Sequence, residues 1–235
     1  MTSETNGADV SGYGHDAAMH NTSFRTGPHG VPNTAIEFED HEYSYLEVDG
    51  TPKLDVGVGD GFTFLGQVKT DTVCDIMYWL QPEISASDSV RIYKSGDRLK
   101  IHFGKRGETG TQSKVWQDTE TSTYWTWTFF AASYNRLNGE VLSYINDEAK
   151  VTTTTPVYLR TDLPVTLRMG SRPGVGVENT NYNCDGSFSC FMLFDRSLAK
   201  GDILLGRDLC DKLTGGKAAA IPGGGKSEWC CAAAW

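Results

Sequence analysis

The sequence contains no apolar run near the roughly 20 residues that a membrane-spanning helix requires, so no membrane span is expected. Positive charge is also scarce, because 21 Lys and Arg are outnumbered by 30 Asp and Glu, which gives a net charge of −9. A surface of this sign repels nucleic acid and anionic membranes, so neither is expected as a partner. The first residues are polar and lack the apolar segment of a secretory signal peptide.

Motifs of catalysis are missing as well. No serine lies in a Gly-x-Ser-x-Gly nucleophile elbow, and no cysteine spacing matches a zinc site. The glycine-rich stretch 57–61 precedes an extended segment rather than a helix, so it does not predict a phosphate-binding loop. We therefore expect a protein that is not an enzyme.

Short extended segments, by contrast, recur along the chain at the spacing of a β-sandwich. The predicted strands cover residues 35–38, 43–48, 62–68, 75–80, 89–93, 98–103, 126–134, 140–145, 165–169 and 186–194. Only one helix is expected, after Ser197. The sequence therefore predicts an all-β fold.

Two of these segments show how the sheets should be covered. Apolar and polar residues alternate from Leu99 to Phe103, which predicts one buried and one wet face. Residues 127–134 are apolar on both faces, which predicts a central strand with Trp127 in the core. Asn138-Gly139 then signals a hairpin, and residues 146–148 a second tight turn.

Several segments occur together in the order typical of one family. They are residues 9–16 (DVSGYGHD), 35–38 (AIEF), 44–48 (SYLEV), 61–64 (GFTF), 127–134 (WTFFAASY), 168–170 (RMG) and 195–198 (DRSL). In this order they resemble a laminin-G-like domain of the concanavalin A-like lectin and glucanase superfamily. The resemblance implies a two-sheet antiparallel jelly-roll sandwich with one short C-terminal helix, over residues 9–212. Ala199 departs from the family, which usually has a Ser or Thr helix cap there.

Both ends of the chain are expected to lie outside this domain. Residues 1–8 are interpreted as an N-terminal remnant, because such a jelly roll normally opens with a further strand. Residues 213–235 are rich in Gly, Ala and Lys, which predicts a flexible tail. We expect a piece of a larger secreted or extracellular protein.

Six cysteines are present, and reduced core thiols are the simplest interpretation of them. A pairing of Cys190 with Cys210 is common in the modules this chain resembles, and Cys74 with Cys184 is a second, weaker pairing. Cys230 and Cys231 are adjacent in the tail and are expected to be unpaired or intermolecular. The sequon Asn21-Thr22-Ser23 predicts glycosylation of Asn21 in the same oxidising compartment.

Calcium is the cofactor that the resemblance implies, since related modules often hold one calcium ion through loop carboxylates and carbonyls. Asp9 and Asp185 are the predicted ligands, because the family topology brings the N-terminal loop close to the closing strand. Asp9 could alternatively initiate a turn. Asp16 and Asp195 are further loop carboxylates, and Asp195 could instead cap the helix.

One stretch imitates a catalytic motif of the superfamily's laminarinase-type glycosidases, whose Glu-x-Asp-x-x-Glu strand carries two carboxylates about 5 Å apart for a retaining mechanism. Glu37 and Glu42 have the spacing of the outer pair. However, residues 39–42 read as a polar turn, and an edge-type strand at Glu37 does not suit a catalytic cleft. Catalysis at Glu37 and Glu42 is therefore an alternative that we disfavour.

Aromatic side chains on loops are the remaining candidates for ligand contact, since they stack on sugar faces. Tyr13, Trp116, Trp125 and Tyr182 lie in or beside predicted loops. The favoured hypothesis is a non-catalytic extracellular recognition module that binds a glycan or a matrix or cell-surface protein, with help from calcium. The alternative is a structural spacer domain of a larger matrix or adhesive protein.

Overall fold

The computed structural model describes residues 7–9, 14–39, 43–70, 73–80, 90–96, 98–107, 114–120, 125–154, 156–162, 165–171, 183–215 and 233–234. Within these ranges the chain forms two antiparallel β-sheets packed face to face, one α-helix and two single-turn 3-10 helices. The fold is the predicted two-sheet jelly-roll sandwich.

The first sheet has seven strands. In spatial order they are β1 (Ala18–His20), β4 (Tyr45–Asp49), β13 (Thr166–Met169), β6 (Cys74–Leu80), β7 (Arg91–Ser95), β8 (Arg98–Gly104) and β9 (Lys114–Glu120). All of these neighbours are antiparallel. Strands distant in sequence are therefore adjacent, which is the nonlocal order of a jelly roll.

The second sheet has eight strands. Its main path is β12 (Glu148–Thr153), β11 (Glu140–Ile145), β10 (Thr128–Asn135), β5 (Gly61–Thr70), β14 (Gly186–Phe194), β3 (Ala35–Phe38) and β2 (Ser23–Arg25). The eighth strand, β15 (Ala233–Ala234), pairs with Met192 and Leu193 of β14. Two residues of the predicted tail thus pair with the sheet.

The main core fills the space between the two sheets. Leu99, Ile101 and Phe103 are buried there, as predicted for the apolar face of β8. The opposite face is not wet along its whole length, however, because His102 is also buried. The ring of Phe62 packs edge-on against Trp79, at 5.8 Å between centroids, and against Phe103, at 5.6 Å. Such aromatic pairs contribute roughly 0.5–1.5 kcal/mol beyond their burial.

A smaller core lies on the outer face of the second sheet, beneath the helix α1 (Lys200–Leu213). Strand β10 is buried along almost its whole length, with Phe130 in the main core and Phe129 in the smaller one. This confirms the prediction of a central strand covered on both sides. Gly206 lets the helix approach closely, because a Cβ there would lie 2.7 Å from the Leu65 side chain.

The helix begins without a side-chain cap. Its N-cap residue is Ala199, which makes no capping hydrogen bond, as the departure from the family pattern predicts. The helix extends through Leu213, one residue beyond the predicted domain boundary. Across the described part of the chain, no helix is long and apolar enough to span a membrane.

Both predicted disulfides are present. Cys74 and Cys184 form a bond at the start of β6, within the main core. Cys190 and Cys210 join β14 to α1, within the smaller core. Cys230 and Cys231 lie outside the described residues.

Both predicted turns are present in the second sheet. Gly139 has φ +72°, and a Cβ there would lie 1.8 Å from the Thr154 carbonyl oxygen, so only glycine fits. Asn146 has φ +51° in the two-residue turn between β11 and β12, a conformation that asparagine tolerates better than most residues. These turns fix the register of the β10–β11–β12 meander.

Candidate binding groove

An open groove lies where the edge of α1 meets the second sheet. Its volume is about 590 Å³, and it is wide open to solvent. The residues that line it come from three elements and are Trp127, Phe129, Asn146, Asp147, Arg207, Asp208 and Asp211. We call this site the helix groove.

The aromatic wall comes from the start of β10. Residues two apart on an extended chain project to the same side, so Trp127 and Phe129 both reach the outer face. The smaller core beneath α1 includes Phe129 but not Trp127, which is only partly buried. The expectation that Trp127 lies in the core is therefore wrong, because β10 begins at Thr128 and the helix does not cover the residue before it.

The second wall is the turn between β11 and β12. The Phe129 N–H donates to Asn146 Oδ1 (3.0 Å), and the Asn146 N–H donates to the Phe129 carbonyl (2.8 Å). This pair of hydrogen bonds ties the turn to the aromatic wall. The neighbouring Asp147 side chain is 88% exposed and reaches over the groove toward the helix.

The third wall is one face of α1, where residues three and four apart are neighbours. Arg207 Nη1 donates to Asp147 Oδ1 (2.5 Å), and its Nε lies 3.9 Å from Asp208 Oδ1. Asp211 Oδ1 accepts a hydrogen bond from Gln67 Nε2 (3.0 Å) and lies 3.0 Å from His29 Nε2. These contacts hold the helix side chains against the sheet and the loop between β2 and β3.

The side chain of Gln67, on the sheet under α1, holds Asp211 in place. It belongs to β5 and is 5% exposed. Its Oε1 has no hydrogen-bond partner among the described residues. Asp211 is thus fixed by a buried amide rather than by solvent contacts alone, which preorganises the groove.

The groove offers two kinds of contact. An indole face can stack on an apolar ligand surface, and amide, carboxylate and guanidinium groups can exchange hydrogen bonds with hydroxyl groups. A saccharide carries both an apolar ring face and a rim of hydroxyls, so this combination suits a sugar.

Of the four predicted ligand-binding aromatics, only Trp125 has a described side chain, and it is not among the described residues that line the groove. Trp125 is 47% exposed with φ +57°, two positions before Trp127. Trp116 lies in β9, where it is the cross-strand partner of His102, and its side chain is outside the described residues. Tyr13 and Tyr182 also lie outside them.

The predicted calcium ligands lie on different elements. Asp9 belongs to the loop before β1, where its Oδ2 accepts from the His15 N–H (3.1 Å) and its own N–H donates to Asp16 Oδ1 (2.8 Å). Asp185 precedes β14, and its carbonyl accepts from Thr70 Oγ1 (2.6 Å). Over the described ranges, no three His, Cys, Asp or Glu side chains converge as a metal site.

The glycosidase-like stretch is interrupted. Glu37 lies on β3, next to the edge strand β2, and its carboxylate pairs with Arg25 and accepts from Ser23 Oγ (3.3 Å). Strand β3 ends at Phe38, and Glu42 lies outside the described residues. The extended strand that the catalytic spacing requires therefore stops before Glu42.

The sequon residue Asn21 lies at the turn between β1 and β2. It is exposed and has φ +47°, and its carbonyl accepts from Ser44 Oγ (2.5 Å). The residue is therefore at the surface of the protein.

Sequence reasoning missed most of the groove residues. The sequence predicts Asn146 and Asp147 only as part of a turn. It predicts a short helix after Ser197, but gives no role to Arg207, Asp208 or Asp211, which the longer helix α1 contains. The spacing of these helix residues indicates a shared polar face. No local signal shows which strand that face would meet.

The fold occurs in solved structures of known proteins. One is botulinum neurotoxin type C, whose cell entry depends on interaction with two ganglioside molecules (13% identity, 88% of this chain and 48% of that chain, TM-score 0.60). Others are the binding domain of botulinum neurotoxin DC in complex with rat synaptotagmin II (12% identity, 88% and 48%, TM-score 0.59) and with SialylT (12% identity, 88% and 48%, TM-score 0.61).

These similarities show the jelly-roll fold alone, because fewer than one residue in six is identical. The chain spans about half the length of the solved structures it matches. No protein-family model and no curated protein matches it. The specific likeness to laminin-G domains stays a prediction.

Proposed function

We propose that this chain is a non-catalytic recognition module that binds a glycan in the helix groove. The observation that carries the proposal is the position of Trp127, a partly buried tryptophan in an open groove of about 590 Å³ whose other walls are polar. A concave site with an aromatic wall and a few convergent polar groups is typical of small-molecule recognition.

In this account the Trp127 indole stacks on the apolar face of one sugar ring. Asn146 and the helix carboxylates accept hydrogen bonds from its hydroxyl groups, and Arg207 can donate. The walls are held before the ligand arrives by the bonds between Asn146 and Phe129 and between Gln67 and Asp211. A preorganised site loses less conformational entropy on binding.

The groove suits binding better than glycoside hydrolysis. A general acid of a glycosidase is usually kept protonated by an apolar, buried setting. The carboxylates of Asp147, Asp208 and Asp211 are instead 88%, 33% and 32% exposed. Glu37, the other catalytic candidate, is engaged by Arg25 and Ser23.

Structural neighbours support a role in binding. One matched toxin depends on gangliosides and another is bound to synaptotagmin II, so this fold occurs in receptor-binding proteins with glycan and protein ligands. A protein ligand is accordingly the second candidate. Fold alone does not determine function, so the groove carries the argument.

We place the module outside the cell. Two disulfides favour an oxidising compartment. The exposed Asn21 at the β1–β2 turn supports glycosylation there. Mass determination of protein from a secreting eukaryotic host, before and after removal of N-linked glycans, tests that site, and an unmodified Asn21 would contradict it.

A glycan array probed with the oxidised, full chain tests the proposed function. We expect specific, saturable binding to a defined set of saccharides. A parallel screen of matrix and cell-surface proteins covers the second candidate. Binding to proteins but to no glycan would overturn the glycan proposal, and binding to neither would favour the structural spacer.

A further inference from the structure

We infer that the helix groove selects glycans without anionic groups and discriminates against their sialylated or sulfated derivatives. This inference rests on the proposed function and specifies its ligand class. It follows from the number, exposure and pairing of the charges in the groove.

Carboxylates dominate the lining. Of the seven lining residues in the part of the chain that the structure describes, three are aspartates and one, Arg207, is a cation. A ligand in the groove therefore meets a net negative wall. Asp147 is also the most exposed of the four charged side chains, at 88%, whereas Arg207 is 28% exposed.

The guanidinium of Arg207 is already engaged. Its Nη1 is hydrogen-bonded to Asp147 (2.5 Å) and its Nε faces Asp208 (3.9 Å). An anionic sugar that approached the remaining N–H donors of Arg207 would lie close to the Asp147 and Asp208 carboxylates. Like charges at such short distances repel.

Neutral sugars meet the opposite situation. A hydroxyl group can donate to an ionised carboxylate, and a charge-assisted hydrogen bond of this kind is stronger than one between neutral groups. Asp147 and Asp208 together supply acceptors on both sides of the groove, from the turn and from the helix. A sugar that carries a free amine would gain further attraction.

The whole molecule reinforces this selection, since the net charge is −9. Repulsion of an anionic glycan by distant charges weakens with salt, because the Debye length is about 8 Å at physiological ionic strength. Repulsion by the groove carboxylates, within contact distance of the ligand, is screened less. The discrimination should therefore persist at physiological salt.

The test uses an array in which each neutral core oligosaccharide is paired with its sialylated or sulfated derivative. We expect binding to neutral cores and weaker binding to the paired derivative, by up to about fivefold for each added charge. Equal or tighter binding of the anionic members would overturn the charge inference while leaving glycan binding intact. Binding to no member of any pair would overturn the proposed function itself.

Two variants test whether the groove carboxylates cause the discrimination against anionic glycans. The double variant Asp147→Asn, Asp208→Asn should bind the anionic derivative more tightly relative to its neutral core. Asp49→Asn is the control, because Asp49 is exposed on β4 of the other sheet and its loss changes the net charge without touching the groove. An unchanged neutral-to-anionic ratio in the double variant, or an equal change in the control, would contradict the inference.

Discussion

At the scale of single residues, the most informative side chain is Trp127. Its backbone neighbours Thr126 and Thr128 line a small cavity of about 20 Å³ between the sheets, while Trp127 itself turns outward to the groove. Alternation of this kind is a property of extended chain. Trp127, one residue before β10, can therefore contact a ligand while the residues of the strand pack in the core.

The N-cap of α1 is a second residue that matters locally. Ala199 leaves the first N–H groups of the helix without a side-chain acceptor. Ala199→Ser should raise the free energy of unfolding by about 1 kcal/mol, measured by chemical denaturation. Ala149→Ser on the exposed strand β12 is the control. Equal effects of the two substitutions would contradict the capping argument.

His15 predicts a pH dependence of stability. It is buried in the loop before β1, and desolvation lowers its pKa below the ordinary value of 6.5, more than Asp9 and Asp16 raise it. The unfolded chain therefore binds this proton at a higher pH than the native chain. Stability should fall as the pH drops below about 6.5.

His15→Gln should reduce this slope, because glutamine does not titrate. Denaturation of both proteins between about pH 7 and about pH 5 measures the effect. If both proteins lose stability equally over that range, burial of His15 does not contribute.

At the scale of elements, the helix is positioned by a disulfide. Cys190–Cys210 ties α1 to β14, and α1 carries three of the groove residues. Replacing both cysteines by alanine should cost about 3 kcal/mol of stability, given the short loop that the bond closes. It should also weaken glycan binding, because the helix wall becomes free to move.

The other disulfide is the matched control. Cys74–Cys184 closes a loop of 110 residues, for which the chain-entropy model gives about 4.7 kcal/mol. Its removal should cost more stability yet leave binding to the folded protein unchanged, because neither cysteine lines the groove. Both measurements are made below the unfolding temperature of each variant. Equal losses of affinity would show that binding depends on overall stability alone.

The boundaries of a strand could be predicted from the sequence where turn residues mark both of its ends. Strands β3, β11 and β14 match their predicted bounds residue for residue, because each is a compact run with turn residues at its ends. Strand β12 was not predicted, since nearly all of it is exposed and β11 supplies its pairing. The three-residue strands β1 and β2 depend on their neighbours in the same way.

The groove could not be predicted in this manner. Its three walls are separated by up to 84 positions, from Trp127 to Asp211. They meet only because α1 returns across β5 and β10. Local patterns show a turn, a strand and a helix, but the distance between them is a property of the tertiary fold.

At the scale of the whole molecule, we propose separately that the protein binds one calcium ion, with Asp9 and Asp185 among its ligands. Ligand that binds only the native state raises its stability. Excess calcium should therefore raise the melting temperature of the oxidised protein by several degrees, and a chelator should reverse the rise. Asp9→Asn should remove the effect. No shift with calcium would contradict the proposal.

The arrangement of the two sheets explains why the helix groove lies on the outer face of the second sheet. Helix α1 covers the outer face of the second sheet and leaves a concave margin at Trp127. The order of motifs along the chain was enough to indicate this sandwich, because it reflects the nonlocal strand order. The ligand could not be indicated in that way, since one fold carries many functions.

The most direct test of the account is a calorimetric titration of the best array glycan into three proteins: the wild type, Trp127→Ala and Trp125→Ala. Trp125 is the matched control, an exposed tryptophan two positions away that does not line the groove. We predict that Trp127→Ala loses affinity tenfold or more, the roughly 1.4 kcal/mol or greater expected of a central aromatic contact, while Trp125→Ala binds like the wild type. Unchanged binding by Trp127→Ala, with binding lost in Trp125→Ala, would place the ligand elsewhere and contradict the account.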